Sequence, residues 1–554
     1  MKGLLQQLRK FVNAINAGMA GGVNWFLQSK NYVYAAPVLF GLISIAIVST
    51  GALERFENIT VDWRIRAVAD SSQNVDERLV FIAIGDESID KLGRWPWRRV
   101  EHSLLLDSLK HFPPRVIAYD ILFADLSRDR PNDDIALALT SVNLGVLVFA
   151  SHLEQISGQA KSATETVLKD FQRVNLMNRE DFGFSLPLPN VIGKPDETYV
   201  AEEPILPFVD PDNPDRNLAG SGFVGFVDCL PDFDGVRRRV PLLVKVGEEY
   251  YPSLVTQSLM VYWNLFPEDI DVEFGKHLTF NLPDADPVVV PITYKGELLV
   301  NWRRLKTQDW DGEGYDTREF SDFVSFAKDS NAEQRHGSLD GMEDKILVVG
   351  QNAIGLSDVG PTPLQPRTPL STVHLNAINT ILQRDFINVV PVWPVLAVWF
   401  VVAFGSCWLL RQRSIALATG IPVILLVSYV VAAYFVYLQF QILIPIVWPA
   451  LSFGVLHVGA GAIRWLEELR QRLEIRGVFS SYVSGPLLDH LLENPDAIEL
   501  GGKIRPVSCF FSDIRSFTTI SETMDPEAAA KEIDLFFDAG DLLEYSLADD
   551  AWNA

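Results

Sequence analysis

A single carboxylate stands where chemistry is possible near the end of the chain, Asp513 in the run Val507-Ser-Cys-Phe-Phe-Ser-Asp-Ile-Arg-Ser-Phe-Thr-Thr-Ile-Ser-Glu522. The mostly apolar stretch before it has the pattern of a buried strand, and a turn rich in Ser, Thr and Phe follows at once. A carboxylate at a strand tip beside free backbone N–H groups suits a metal-triphosphate site: the oxygen holds a hard cation and the amides receive phosphate oxygens. Two further carboxylates, Asp86 and Asp120, follow the apolar runs 79–84 and 116–119. Open α/β sheets bind ligands at such C-terminal strand ends, and with Trp95 and Trp97 these residues outline a ligand pocket. The plainer readings are that each aspartate caps the next helix and that the tryptophans around Pro96 are packing.

Alternating signals position these groups. Runs 79–84, 116–119, 146–149 and 346–349 read as buried strands, and 100–111 has helical spacing through Leu104, Leu105, Leu106 and Leu109. Strands alternating with helices predict a mostly parallel sheet within residues 54–385. The segment 204–217, rich in Pro and Asp, reads as a loop. Uncharged runs lie between Lys30 and Glu54, between Asp385 and Arg411, and from Ser414 to Ile463, the last broken by Gln439, Gln441, Pro445 and Pro449. At about 20 apolar residues per crossing these give four transmembrane helices, at 31–53, 390–410, 415–438 and 442–463. The uncharged stretch 135–153 holds Ser141, Asn143, Gly145 and His152 and reads instead as a helix end followed by a strand. Lys2, Arg9, Lys10 and Lys30 in residues 1–30, Arg411 and Arg413, and Arg464, Arg470, Arg472 and Arg476 all fall on one side with four spans. Both termini are then cytoplasmic and residues 54–385 extracytoplasmic. Leu466, Leu469 and Leu473 share one face of the juxtamembrane segment 464–500, which suits parallel pairing of two copies or arginines set against lipid phosphates.

The formal charge of −24 argues against nucleic acid as a partner. Cys229, Cys407 and Cys509 are too scattered for a disulfide framework. Arg237, Arg238 and Arg239 read as a salt-bridged hairpin or as a site for an anionic ligand.

Two resemblances follow from separated motifs. Gly85-Asp-Glu-Ser-Ile-Asp-Lys-Leu-Gly-Arg-Trp-Pro-Trp-Arg98, Tyr119-Asp-Ile-Leu-Phe123, Asp232-Phe-Asp-Gly-Val-Arg237, Val349-Gly-Gln-Asn352, Thr362-Pro363 and His374-Leu-Asn376 resemble the CHASE2 extracellular sensor family. The run around Asp513, preceded by 478–486 and 500–505, resembles the opening of a class III nucleotide cyclase domain. The second resemblance implies a partial α+β, ferredoxin-like module over 501–554, a homodimer, ATP or GTP as substrate, and two Mg²⁺ or Mn²⁺ ions in an intact member. It assigns Asp513 and the Ile514 carbonyl to metal, and the Phe517 and Thr518 amides to phosphate. The second metal aspartate is expected beyond Ala554, and Asp549 and Asp550 lack the Gly-Asp turn that would qualify them. The expectation is therefore a multi-pass receptor of the bacterial inner membrane with an unknown extracellular ligand. Its cyclase module is cut short, and residues 1–554 alone make no cyclic nucleotide. The alternative is a CHASE2 membrane sensor without catalytic output.

Overall fold

The computed structural model describes residues 32–71, 75–154, 188–193, 200–304 apart from scattered positions between 202 and 248, 314–329, 339, 341–353, 359–412, 415–479, and 514–536 apart from 532. They fall into two compact units, Met1–Glu467 and Glu468–Ala554.

The first unit is built on a seven-stranded sheet. Its strands are β1 (Leu79–Ile84), β2 (Val116–Tyr119), β3 (Leu147–Glu154), β4 (Glu203–Ile205), β5 (Phe223–Phe226), β6 (Asp316–Glu319) and β7 (Ile346–Gln351). The order is β6-β1-β7-β2-β3-β4, with β5 also paired to β3. Every pairing is parallel except β3 with β4. A parallel sheet covered on both faces needs apolar side chains on both, which is why the central strands β1, β2 and β7 are nearly continuous hydrophobic runs. Successive residues alternate between two cores. Phe81, Ala83, Ala118, Val148 and Val348 enter one, with Val61, Ile65, Val68, Leu254, Val255 and Ile378. Val80, Ile82, Ile117, Tyr119, Phe149 and Val349 enter the other, with Leu105, Leu106, Leu109, Leu137, Phe320 and Phe323.

Helices α1 (Tyr32–Ser49) and α2 (Glu54–Ser71) precede β1; α3 (Asp86–Leu92) and α4 (Arg99–Leu109) join β1 to β2; α5 (Pro131–Leu144) joins β2 to β3. Then come α6 (Leu254–Trp263), α7 (Phe320–Lys328) and α8 (Ser371–Leu382). The expected helix at 100–111 is α4, and the uncharged stretch 135–153 is the end of α5 and the start of β3. The expected loop at 204–217 opens inside β4, whose backbone pairs with His152, Leu153 and Glu154. At Gly225 in β5 an added Cβ would stand 2.5 Å from Leu254 Cα, so glycine lets α6 lie directly on the strand.

Three helices follow the α/β domain: α9 (Val392–Gln412), α10 (Ile415–Phe440) and α11 (Val447–Phe479). Among the described residues two helical segments are long and apolar enough to cross a membrane, Val392–Leu409 and Gly420–Phe440. A third counts if Ala36–Ser49 and Glu54–Ala69, bent by 79°, form one span. Ala36, Leu396, Trp399, Ala403, Cys407, Trp448, Phe453 and Leu456 make a separate apolar core among α1, α9 and α11. Residues 442–463 are not one uniform helix. Ile442–Leu443 pairs in parallel with Asn388–Val389, and α11 then runs unbroken past 463 to Phe479. In the second unit α12 (Phe517–Ser521) is a short helix, and residues 526–531 and 533–536 are also helical.

Candidate functional site

The C-terminal edge of the sheet carries the sequence motifs but is knitted shut by them. Asp86 is exposed in the first turn of α3, whose N-cap is Gly85, so the aspartate does not cap the helix with its side chain. No helix begins at Asp120 either; its amide donates to the Val349 carbonyl at 2.9 Å, and α5 starts only at Pro131. Neither aspartate is an N-cap: Gly85 holds that position before α3, and no helix begins at Asp120. Trp95 and Trp97 pack edge to face with centroids 5.1 Å apart; Trp97 Nε1 donates to the Gly93 carbonyl at 2.7 Å, and its ring lies 4.9 Å from Phe320. His102 sits beneath, its Nδ1 2.8 Å from the Tyr119 hydroxyl. Burial, with the Arg99 charge adding to it, pushes His102 down to about 3, and burial holds Tyr119 well above the usual phenol range. Tryptophans and aspartates thus share one edge, but the rings are engaged in aromatic packing.

The loops above this edge converge on one carboxylate. Asp134 accepts from Arg99, from Arg216 at 2.7 Å and from the Ser127 amide at 2.9 Å, while Arg98 pairs with Asp133 at 3.0 Å. At the β6 edge of the sheet, Glu319 accepts from the Ser88 hydroxyl, and burial together with Glu87 raises its carboxyl above the usual range.

A second constellation lies where the α/β domain meets the apolar helices. Arg238 is buried and grips Asp62 of α2 with both ends of its fork, at 2.7 and 2.8 Å. It also donates to Asp232 and Asp234 at 2.9 Å each, and Arg239 adds a 2.6 Å bond to Asp232. Burial opposes charge on Asp234, yet hydrogen bonds from Arg238 and the Val236 amide hold its carboxyl below the usual range. The arginine run is a salt-bridged hairpin, and its central member reaches back to the first helix of the domain. On another side of α2, Glu57 accepts from the amides of Ile446 at 2.8 Å and Val447 at 2.7 Å, and Arg64 donates to the Ile444 carbonyl at 2.8 Å. Glu57 thereby satisfies amides at the N-terminus of α11. Asn301 donates to Gln441 Oε1 at 2.8 Å, and Arg303 pairs with Asp385. The connection between α10 and α11 is thus held by α2 on one side and by residues 301–303 through Gln441 on the other. Sequence reasoning missed Asp62, Glu57, Arg64, Asn301, Arg303 and Asp385. The one available signal was four acids and three arginines in α2, a charged helix directly after an apolar run.

Asp513 lies outside the described residues. Beside it, Ile514 begins a turn through Ser516 at φ +61°, and the Ile514 carbonyl accepts from the Phe517 amide at 3.2 Å. A carbonyl oxygen has two lone pairs, so one remains for a cation. Thr518 is exposed, and its carbonyl accepts from the Glu522 amide at 3.1 Å. Among the described residues no group of three or more His, Cys, Asp or Glu is placed to hold a metal ion.

The family model of the CHASE2 domain matches residues 38–410, reaching beyond the α/β domain into α1 and α9. Neither a curated protein nor a solved structure matches the chain.

Proposed function

As the chain belongs to the CHASE2 family, we propose that it is a membrane receptor whose extracytoplasmic α/β domain senses a small ligand and drives a nucleotide cyclase module through its membrane helices. The observation that carries this reading is the paired hold on α2, by Arg238 from the α/β domain and by the α10–α11 connection through Glu57 and Arg64. A change in the sheet reaches α11 without a flexible linker, and α11 continues toward residues 478–518.

In this reading α1, α9, α10 and the first part of α11 make four crossings of the inner membrane, with both termini cytoplasmic. The output is cyclic nucleotide, from ATP or GTP, made by a homodimer. The support is the run 507–522: Asp513 and the Ile514 carbonyl would hold Mg²⁺ or Mn²⁺, and the Thr518 amide would meet phosphate, whereas the Phe517 amide is engaged by the Ile514 carbonyl. The ions supply charge neutralisation at the reacting phosphate; this chain's own residues orient the triphosphate. With the Trp95 and Trp97 rings engaged in aromatic packing, we assign the sensory role to the charged loops around Asp134, Glu319 and Asp86.

The test joins residues 1–500 to an intact class III catalytic domain. The chimera should yield membrane-bound cyclase whose output changes severalfold when Asp62→Asn breaks the Arg238 grip. Output indifferent to that substitution, with the chimera correctly inserted, would remove the coupling claim and favour a CHASE2 binding protein without catalytic output.

A further inference from the structure

Helix α2 presents four different sides, and three have partners. Val61, Ile65 and Val68 enter the core beneath the sheet. Asp62 meets Arg238 on one flank, and Glu57 and Arg64 hold the Ile444–Val447 connection on the other. The fourth side carries Phe56, Ile59 and Trp63, which are 55 %, 41 % and 64 % exposed. At 3.6 residues per turn this stripe stands about 180° from the core-facing triplet.

The position of α2 relative to the apolar helices is fixed. It follows α1 after a bend of 79°, and α1 packs along α9. It is also tied by hydrogen bonds to the connection between α10 and α11. At that same end of the bundle Trp393 and Phe440 are exposed, and residues 388–389 pair with 442–443. A helix turned across the span it follows, clamped at the ends of the neighbouring helices, lies along the membrane surface. One side of it is then turned to the sheet and the opposite side to the lipid. Trp and Phe favour the headgroup boundary because their rings are apolar with a polar or polarisable edge. A helix apolar on that side and charged on its flanks fits the interfacial class.

We propose that Phe56, Ile59 and Trp63 seat α2 in the outer-leaflet phospholipid surface, so that the domain rests on the bilayer through this helix. The contact is with lipid, not with a second copy of the chain. The level of the stripe is set by the spans, and its residues continue the apolar belt of Trp393 and Phe440. Displacing α2 from the lipid would move Asp62, Glu57 and Arg64 together, which makes the seating a mechanical reference for the coupling described above. The inference rests on the reading that α9 and α10 cross the membrane.

The experiment incorporates p-benzoylphenylalanine at position 63, at position 59, and at position 398 of the full chain, in membranes of phosphatidylethanolamine and phosphatidylglycerol. Val398 is 62 % exposed in the middle of α9 and reports whether that helix is in the bilayer. Irradiation should give phospholipid adducts at all three positions, found by mass spectrometry. Lipid adducts at 398 together with chain-to-chain products, or no lipid adduct, at both 59 and 63 would overturn the seating of α2. Loss of the lipid adduct at 398 as well would overturn the membrane reading and this inference with it.

Discussion

Arg238 shows at the scale of a residue how the domain is wired. A buried guanidinium that satisfies three carboxylates adds little net stability against an apolar substitute, because desolvating the ions offsets their attraction; removing one partner is a different matter. Arg238→Met should strand Asp62 and Asp234, with Asp232 keeping Arg239, and lower stability by about 3–5 kcal/mol, read as a fall in the thermal midpoint of the solubilised chain. Asp62→Asn should cost much less, since Asp232 and Asp234 keep Arg238 paired. The buried histidines give a pH signature. Burial, with Arg99 adding to it, holds His102 at about 3; burial also holds His374 at about 4, against an opposing backbone hydrogen bond to Val227. Between the unfolded value near 6.5 and these values the unfolded chain binds protons that the folded chain refuses. Stability should therefore fall as pH drops from about 6.5 to about 4, and His374→Asn should remove roughly half of that slope in denaturant titrations. Below that window the lowered Asp234 carboxyl adds a further loss as it protonates. None of these partnerships was legible locally, because Asp62 and Arg238 are 176 positions apart and periodicity reports only neighbours.

Elements were legible where one environment covers a whole segment. β1 was read to the residue, since all six of its side chains are buried and the run has no polar interruption. β6, with the sequence Asp-Thr-Arg-Glu, carries no strand pattern; it lies at the sheet edge, where backbone pairing with β1 decides its conformation. The uncharged run ending at Ile463 marked a boundary of composition but not of structure, because α11 has no reason to break where its surroundings change from apolar to polar. At the site, the edge carrying Asp86, Trp95, Trp97 and Asp120 was foreseen, whereas the saturation of its loops by Asp134 depends on Arg216 from a distant loop. The same logic makes α2 the element to perturb. Glu57→Ala removes the carboxylate that receives the Ile446 and Val447 amides, a loss of about 1 kcal/mol by analogy with helix caps. Hydrogen exchange at those two amides should accelerate about fivefold, while exchange in β1 stays unchanged.

On the scale of the whole molecule, the proposal requires an extracytoplasmic α/β domain held by α2 to helices that cross the bilayer. The CHASE2 match and the two apolar segments of α9 and α10 support a membrane sensor, and the proposed orientation rests on the basic clusters at 2–30, 411–413 and 464–476. Hydropathy marked the apolar segments of α9 and α10 because it is a property of the segment itself, whereas the coupling contacts arise only once the chain has folded. The most direct measurement fuses a reporter that is active only outside the cytoplasm after Gly220 in one chain and after Arg476 in another. The account predicts activity at Gly220 and silence at Arg476. Silence at Gly220, or activity at both positions, would contradict it.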